Sequence, residues 1–203
     1  MSNKTYALRI ELKEIKPVIW RRFIVPSNIT LDRLHDIIQI VMGFTDSHLH
    51  EFVIDGKRYT EEPEPEYYEA SEGFEVFEEG LFPLNRVVKL KNTEFEYNYD
   101  FGDSWNHKVI LEKTSYKLNE RDMPIRCLAG ERACPPEDVG GVGGYEDFCS
   151  VMADKRHEEH KRYIKWFGSL YKPEFIDIEL INDTLLKYMR WSRMRYIPYE
   201  YIF

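Results

Sequence analysis

Tyr6-Ala-Leu-Arg-Ile-Glu-Leu12 followed by Val18-Ile-Trp-Arg-Arg-Phe-Ile-Val25 decides the fold: the first run alternates apolar and polar side chains, and the second is dense in β-branched and aromatic residues. Both read as strands. The link Lys13-Glu-Ile-Lys-Pro17 is short enough to make them antiparallel neighbours, and Pro17 falls at a strand start, where its missing N–H does least harm. Thr30 then stands as an N-cap with Asp32 in the first turn. Leu31, Leu34, Ile37, Ile38 and Val41 recur at helical spacing until Gly43 closes the end. His48-Leu-His-Glu-Phe-Val-Ile54 runs into the tight-turn pair Asp55-Gly56 and on to Lys57-Arg-Tyr59, a further strand pair. Strand, strand, helix, strand suits a helix laid across a sheet, as in a β-grasp-like opening. It predicts an α+β fold with a mostly antiparallel sheet.

Val87-Val-Lys-Leu90, Phe95-Glu-Tyr-Asn-Tyr99 and His107-Lys-Val-Ile-Leu-Glu112 supply more strands, the last two joined by a turn at Gly102. The sheet should have at least five. From 117 to 144 the pattern lapses into Pro124, Gly130, Pro135, Pro136 and Gly140-Gly-Val-Gly-Gly144, which reads as a long Pro/Gly loop, either a lid or wall of a site or a poorly ordered connector, with its cysteines and aromatic neighbours favouring the former. The C-terminal part, 145–203, reads as helical, with segments at 145–153, 157–167 and 182–191 and a break at Pro173. No repeat or linker marks a second domain, so 1–203 reads as one.

With 203 residues, 43% of them hydrophobic, the chain can bury a sizeable core. It has no run of about 18 apolar residues and no basic-then-apolar leader, which predicts a cytoplasmic protein with no membrane partner. Cys127, Cys134 and Cys149 are an odd number and fit free thiols in a reducing compartment. The net charge of −8 is local: residues 61–80 carry nine glutamates and no Lys or Arg, leaving 27 acids against 28 bases elsewhere. That acidic insertion, with Pro63 and Pro65, reads as an exposed excursion, and its repulsion of phosphates argues against a nucleic-acid partner.

Tyr99-Asp-Phe-Gly-Asp-Ser-Trp-Asn-His107 is the chain's densest run of reactive groups, set between two apolar strands. His48 and His50, two apart on an expected strand, should share a face. If that strand lies near the turn, Asp100, Asp103 and His107 complete a nitrogen-and-oxygen site for a divalent metal such as zinc, manganese or iron. Ser104 lacks a Gly-x-Ser-x-Gly elbow, and the cysteine spacing is wrong for structural zinc. Trp20 and Arg22 fall on one strand face and Arg21 on the other, which nominates Arg22 for the cleft. His35 reads as a satisfied core-edge histidine, and His157 and His160 as members of a solvated helix face. The expected cleft therefore comprises Arg22, His48, His50, Asp100, Asp103, Ser104, Trp105 and His107. It would bind a protein partner or small ligand. In the alternative, a metal-dependent hydrolase, His48, His50, Asp103 and His107 are ligands and Asp100 the general base. A third reading gives Lys187, Arg190, Arg193 and Arg195, with Tyr188, Trp191 and Tyr196, a nucleic-acid role.

Several segments together resemble one family, the plasmid pRiA ORF-three-like proteins, also labelled passenger resolvase-like proteins of certain insertion elements. The segments are Pro17-Val-Ile-Trp-Arg-Arg22, Thr30-Leu31 with Leu34-His35, Gly43-Phe44, His48-Leu-His-Glu-Phe52, the 99–107 run, Cys134-Pro-Pro-Glu-Asp138, Gly140-Gly141 and Gly144-Tyr145. The resemblance implies an α+β domain and a mobile-element association, but no particular reaction. Nothing here resembles the serine nucleophile and arginine cluster of a serine resolvase, so recombination does not carry over.

Overall fold

The computed structural model describes residues 4–61, 63, 73, 75–89, 93–119 and 122–191; most of the acidic insertion and residues 192–203 lie outside it. Strands β1 (Thr5–Leu12) and β2 (Trp20–Pro26) pair antiparallel with Leu8 opposite Phe23 and Ile10 opposite Arg21. Tyr6, Leu8, Ile10, Leu12, Phe23 and Val25 are buried together, as the two-residue period requires. Helix α1 (Leu31–Met42) roofs that face with Leu31, Leu34, Ile37, Ile38 and Val41. Thr30 occupies the N-cap position without a side-chain bond, and the carbonyl of Phe82 accepts the Leu31 N–H at 3.1 Å. Gly43 adopts the left-handed conformation at the other end, φ 109°, and donates to the Gln39 carbonyl.

Next come β3 (His50–Ile54), β4 (Lys57–Thr60), β5 (Val76–Glu78), the one-turn helix α2 (Leu84–Val87), β6 (Glu94–Tyr99), β7 (Trp105–Lys113) and β8 (Arg126–Glu131). Among the described residues they form one eight-stranded sheet in the order β5-β4-β3-β6-β7-β1-β2-β8. Only β4 and β5 run parallel. Helices α3 (Gly141–Ala153), α4 (His160–Phe167) and α5 (Ile178–Trp191) complete the α+β fold. The sheet's other face is polar and open, laced by pairs such as Arg22–Glu112 at 2.7 Å and Lys108–Glu11 at 3.4 Å.

Two expectations are corrected. Residues 87–90 read as a strand, yet Val87 closes α2: Pro83 fixes φ at −65°, and buried Leu84 donates to the Ile29 carbonyl at 2.7 Å. The expected loop at 117–144 contains β8, and its glycine run is the first turn of α3. Arg126-Cys-Leu-Ala-Gly-Glu131 has no alternation to betray a strand. It is held by pairing with β2 and by the Asn182 amide of α5, which donates to the Cys127 carbonyl at 3.0 Å and accepts the Cys127 N–H at 2.8 Å. An edge strand is thereby covered. Among the described residues no helix is long and apolar enough to cross a membrane.

Candidate functional site

The turn after β6 begins at Asp100, whose positive φ of 54° turns the chain and whose Oδ1 accepts the N–H groups of Gly102, 2.9 Å, and Asp103, 3.2 Å. Asp100 Oδ2 is left facing the imidazole of His48, 3.6 Å from Nε2. The loop that carries His48 is pinned from both sides. Ser47 N–H donates to the Tyr99 hydroxyl at 3.0 Å, the Tyr99 hydroxyl donates to Glu137 Oε1 at 2.9 Å, and Thr45 N–H reaches the same oxygen at 2.7 Å. The segment before α3 closes the third side. Asp103 Oδ2 accepts the Gly140 N–H at 3.0 Å, and a Cβ on Gly141 would stand 2.7 Å from the Asp103 carbonyl oxygen. This docking carries Asp138 Oδ1 to 3.2 Å and Glu137 Oε2 to 4.0 Å from His48 Nε2.

One imidazole nitrogen and two carboxylates thus converge, with Glu137 Oε2 next to them at 4.0 Å from His48 Nε2. The donor atoms of His48, Asp100 and Asp138 lie within 4.8 Å of one another. His48 Nε2 and Glu137 Oε2 are buried without a hydrogen-bond partner. No lysine or arginine is ion-paired with these carboxylates among the described residues. Ligand atoms about 2.1 Å from a metal ion stand roughly 3.0–3.5 Å apart; Asp138 Oδ1 at 3.2 Å from His48 Nε2 has that spacing, while Asp100 Oδ2 at 3.6 Å and Glu137 Oε2 at 4.0 Å would have to draw in.

The four residues expected as one ligand set do not come together. Strand β3 starts only at His50, so the shared-face argument does not reach His48. His50 enters the core, stacks on His35 with ring centroids 3.4 Å apart, and bonds Glu79 at 3.0 Å. His107 is fully buried, its Nδ1 donating to the Tyr97 carbonyl at 3.2 Å. Asp103 braces the Gly140 loop. Trp105 is fully buried against Phe44, and Ser104 is exposed with a 3.4 Å bond to the Phe101 carbonyl. Arg22 lies on the open face of the sheet with Glu112, and Arg21 is the arginine that turns inward. His160 bonds the Val151 carbonyl, and His157 accepts the Glu159 N–H. Tyr188 bonds Asp36 at 2.6 Å, while Arg193, Arg195 and Tyr196 lie outside the described residues. Glu137 and Asp138 are site residues that the sequence reading does not nominate, and the signal for them is the pair of carboxylates that ends Cys134-Pro-Pro-Glu-Asp138.

Behind the site, a closed ring of hydrogen bonds fixes proton positions in the core. Gln39 Nε2 donates to the Tyr97 hydroxyl at 2.8 Å, that hydroxyl donates to His35 Nδ1 at 2.8 Å, His35 Nε2 donates to Asp46 Oδ1 at 2.8 Å, and Asp46 N–H donates to Gln39 Oε1 at 2.9 Å. Only a neutral His35 with its proton on Nε2 closes the ring. Burial, helped by the neighbouring His50 and opposed by Asp46, lowers His35 to about 4, and burial lowers His107 to about 4. Between pH 6.5, the ordinary histidine value, and about 4, the unfolded chain takes up protons that the folded one refuses. The stability from each neutral ring is therefore present above that window and lost through it, on the order of 3 kcal/mol for His107. Burial raises Glu79, which offsets part of this at the acid end. The urea midpoint should fall steeply from pH 6.5 to 4, and more shallowly in His107→Phe; a flat profile would contradict the burial argument.

The comparisons agree in kind. The family model described as plasmid pRiA4b ORF-3-like protein matches residues 4–180. The uncharacterized protein y4hQ of Sinorhizobium fredii (strain NBRC 101917 / NGR234) is 35% identical over 162 residues, 80% of either chain. The crystal structure of a protein of unknown function, MM3350 from Methanosarcina mazei Go1, is 38% identical, covers 88% of this chain and 98% of its own, and superposes with a TM-score of 0.78. With most of its length matched by that model and by both relatives, the chain belongs to the plasmid pRiA4b ORF-3-like family.

Proposed function

We propose that this protein is a cytoplasmic binding module whose cleft holds a divalent cation between His48, Asp100 and Asp138, with Glu137 Oε2 as a fourth donor. The observation that carries the reading is His48 Nε2, buried without a hydrogen-bond partner and facing the carboxylates of Asp100 and Asp138, with the equally unpartnered Glu137 Oε2 4.0 Å away. Three carboxylates around one imidazole repel one another without a cation, and a divalent ion removes that cost while satisfying both orphaned atoms. One imidazole with several carboxylate oxygens suits manganese, iron or zinc better than a thiolate-seeking ion. The free thiols of Cys127, Cys134 and Cys149 support the cytoplasmic setting. Hydrolysis is the second reading. Asp138 is 74% exposed, which would leave one side of such an ion open to water. Asp100 then serves as ligand rather than base, since its Oδ1 is committed to its own turn.

The test is Mn2+ binding to the EDTA-treated full chain, read from the free-ion paramagnetic resonance signal. One ion per chain should bind, and His48→Ala or Asp100→Asn should weaken it about 10- to 100-fold. Arg22→Ala, on the open face, should change nothing. Absence of Mn2+ and Zn2+ binding by the folded native chain overturns the reading.

A further inference from the structure

Asp138 belongs to two features at once. Its Oδ1 faces His48 Nε2 at 3.2 Å, and its side chain also lines a groove of about 580 Å³ with Val139, Arg162, Tyr163, Lys165 and Trp166. The groove is of small-ligand size. Its walls are unlike the cation site: two cations, two aromatic rings, and one carboxylate at the end nearest His48. The rings are anchored rather than loose. Phe148, fully buried, meets Tyr163 edge-on at 5.4 Å and Trp166 at 5.7 Å, and Trp166 keeps 48% of its surface exposed. The Arg162 guanidinium lies 5.6 Å from the Tyr163 ring centre and is paired with Glu159.

From these walls we infer that the groove binds a small phosphate ester of a planar aromatic group, of mononucleotide size, whose phosphate bridges Lys165 and Arg162 to the cation held at His48, Asp100 and Asp138. The inference rests on the cation site proposed above. Cationic side chains alone would take any phosphate, and rings alone any apolar plate. Asp138 at the end of the groove would repel a free anion, and a metal ion beside it converts that repulsion into attraction. A ligand that is planar and anionic, with a phosphate able to reach a metal, uses all of these walls. An exposed tryptophan beside lysine and arginine also suits base stacking with charge neutralisation on a small scale.

The probe is adenosine 5′-monophosphate titrated into the full chain with and without one equivalent of Mn2+, followed by calorimetry and tryptophan quenching. Adenosine and inorganic phosphate serve as the ring-only and phosphate-only controls. Mn2+ should tighten the nucleotide about tenfold, and Lys165→Ala and Arg162→Ala should each weaken it about tenfold while Mn2+ binding alone stays unchanged. Trp166→Leu should remove the nucleotide's advantage over phosphate together with most of the quenching. The inference is overturned if the nucleotide binds no better than phosphate, or if Lys165→Ala changes nothing. Nucleotide binding that ignores Mn2+ also overturns it, since the bridge is then absent. Mn2+ binding without nucleotide binding rejects the groove ligand and spares the cation site, whereas no Mn2+ binding at all rejects both.

Discussion

Arg21→Ala should lower the unfolding free energy by about 3–5 kcal/mol, because it empties a filled core position and strands several carbonyls together. Arg21 is 1% exposed. Its Nε donates to the Val41 carbonyl at 2.8 Å, and Nη1 donates to the carbonyls of Trp20, 2.8 Å, and Glu131, 2.9 Å. Val41 and Met42 are the last residues of α1, whose final carbonyls have no intrahelical partner and carry the negative end of the helix dipole. The guanidinium meets both needs, and it ties β2, β8 and α1 into one unit. Its path also explains a glycine: a Cβ at Gly130 would lie 2.7 Å from Arg21 Cδ and 2.8 Å from the Trp20 carbonyl oxygen. Arg21→Met keeps most of the volume and loses the donors, so it should cost less, about 1–3 kcal/mol. Urea melts of both variants measure this. A loss under about 1 kcal/mol for the alanine variant would show that the buried charge is not what holds the helix end.

Gly144→Ala should be nearly as costly and should damage the site as well. The added Cβ would fall 2.0 Å from the Val139 carbonyl oxygen and 2.8 Å from its carbon, both backbone atoms that no rotamer change can move aside. Overpacking of this kind costs about 3 kcal/mol. For a chain of this size that corresponds to a melting temperature lower by roughly 6–12 °C. Val139 follows Asp138 directly, so relieving the clash displaces a residue of the proposed cation site. Mn2+ affinity should fall about tenfold in the same variant. Gly143→Ala, one residue earlier, meets nothing within 4 Å and is the control. Equal melting temperatures for the two alanine variants would refute the clash.

Alternation in Tyr6–Leu12 and the helical spacing of Leu31, Leu34, Ile38 and Val41 carry their own answer, because each element's buried stripe is written locally. β8 carries no such stripe; its strand state comes from β2 and from Asn182, which is remote in sequence. The site divides in the same way. The 100–104 turn is legible because Asp100 bonds the N–H groups two and three residues ahead. His50 and His107 read as ligands in the sequence because the period of a strand tells which residues share a face but not which face a helix will roof. Arg21 and Arg22 exchanged roles for that reason. Glu137 and Asp138 reach His48 through the bonds of Tyr99 and Thr45 to Glu137 and the docking of Gly140 on Asp103, contacts with no local signature.

The one-way circuit of protons among Gln39, Tyr97, His35 and Asp46 reaches beyond the core. Asp46 sits two positions ahead of His48, so the stem of the loop that carries His48 is moored to the interior by a chain in which every member both gives and receives. Charging the imidazole at 35 would leave the phenol at 97 without its acceptor and slacken that mooring. Acid strong enough to charge that ring would loosen the seat of the imidazole at 48, which couples the geometry of the cleft to the protonation of a ring set back from it.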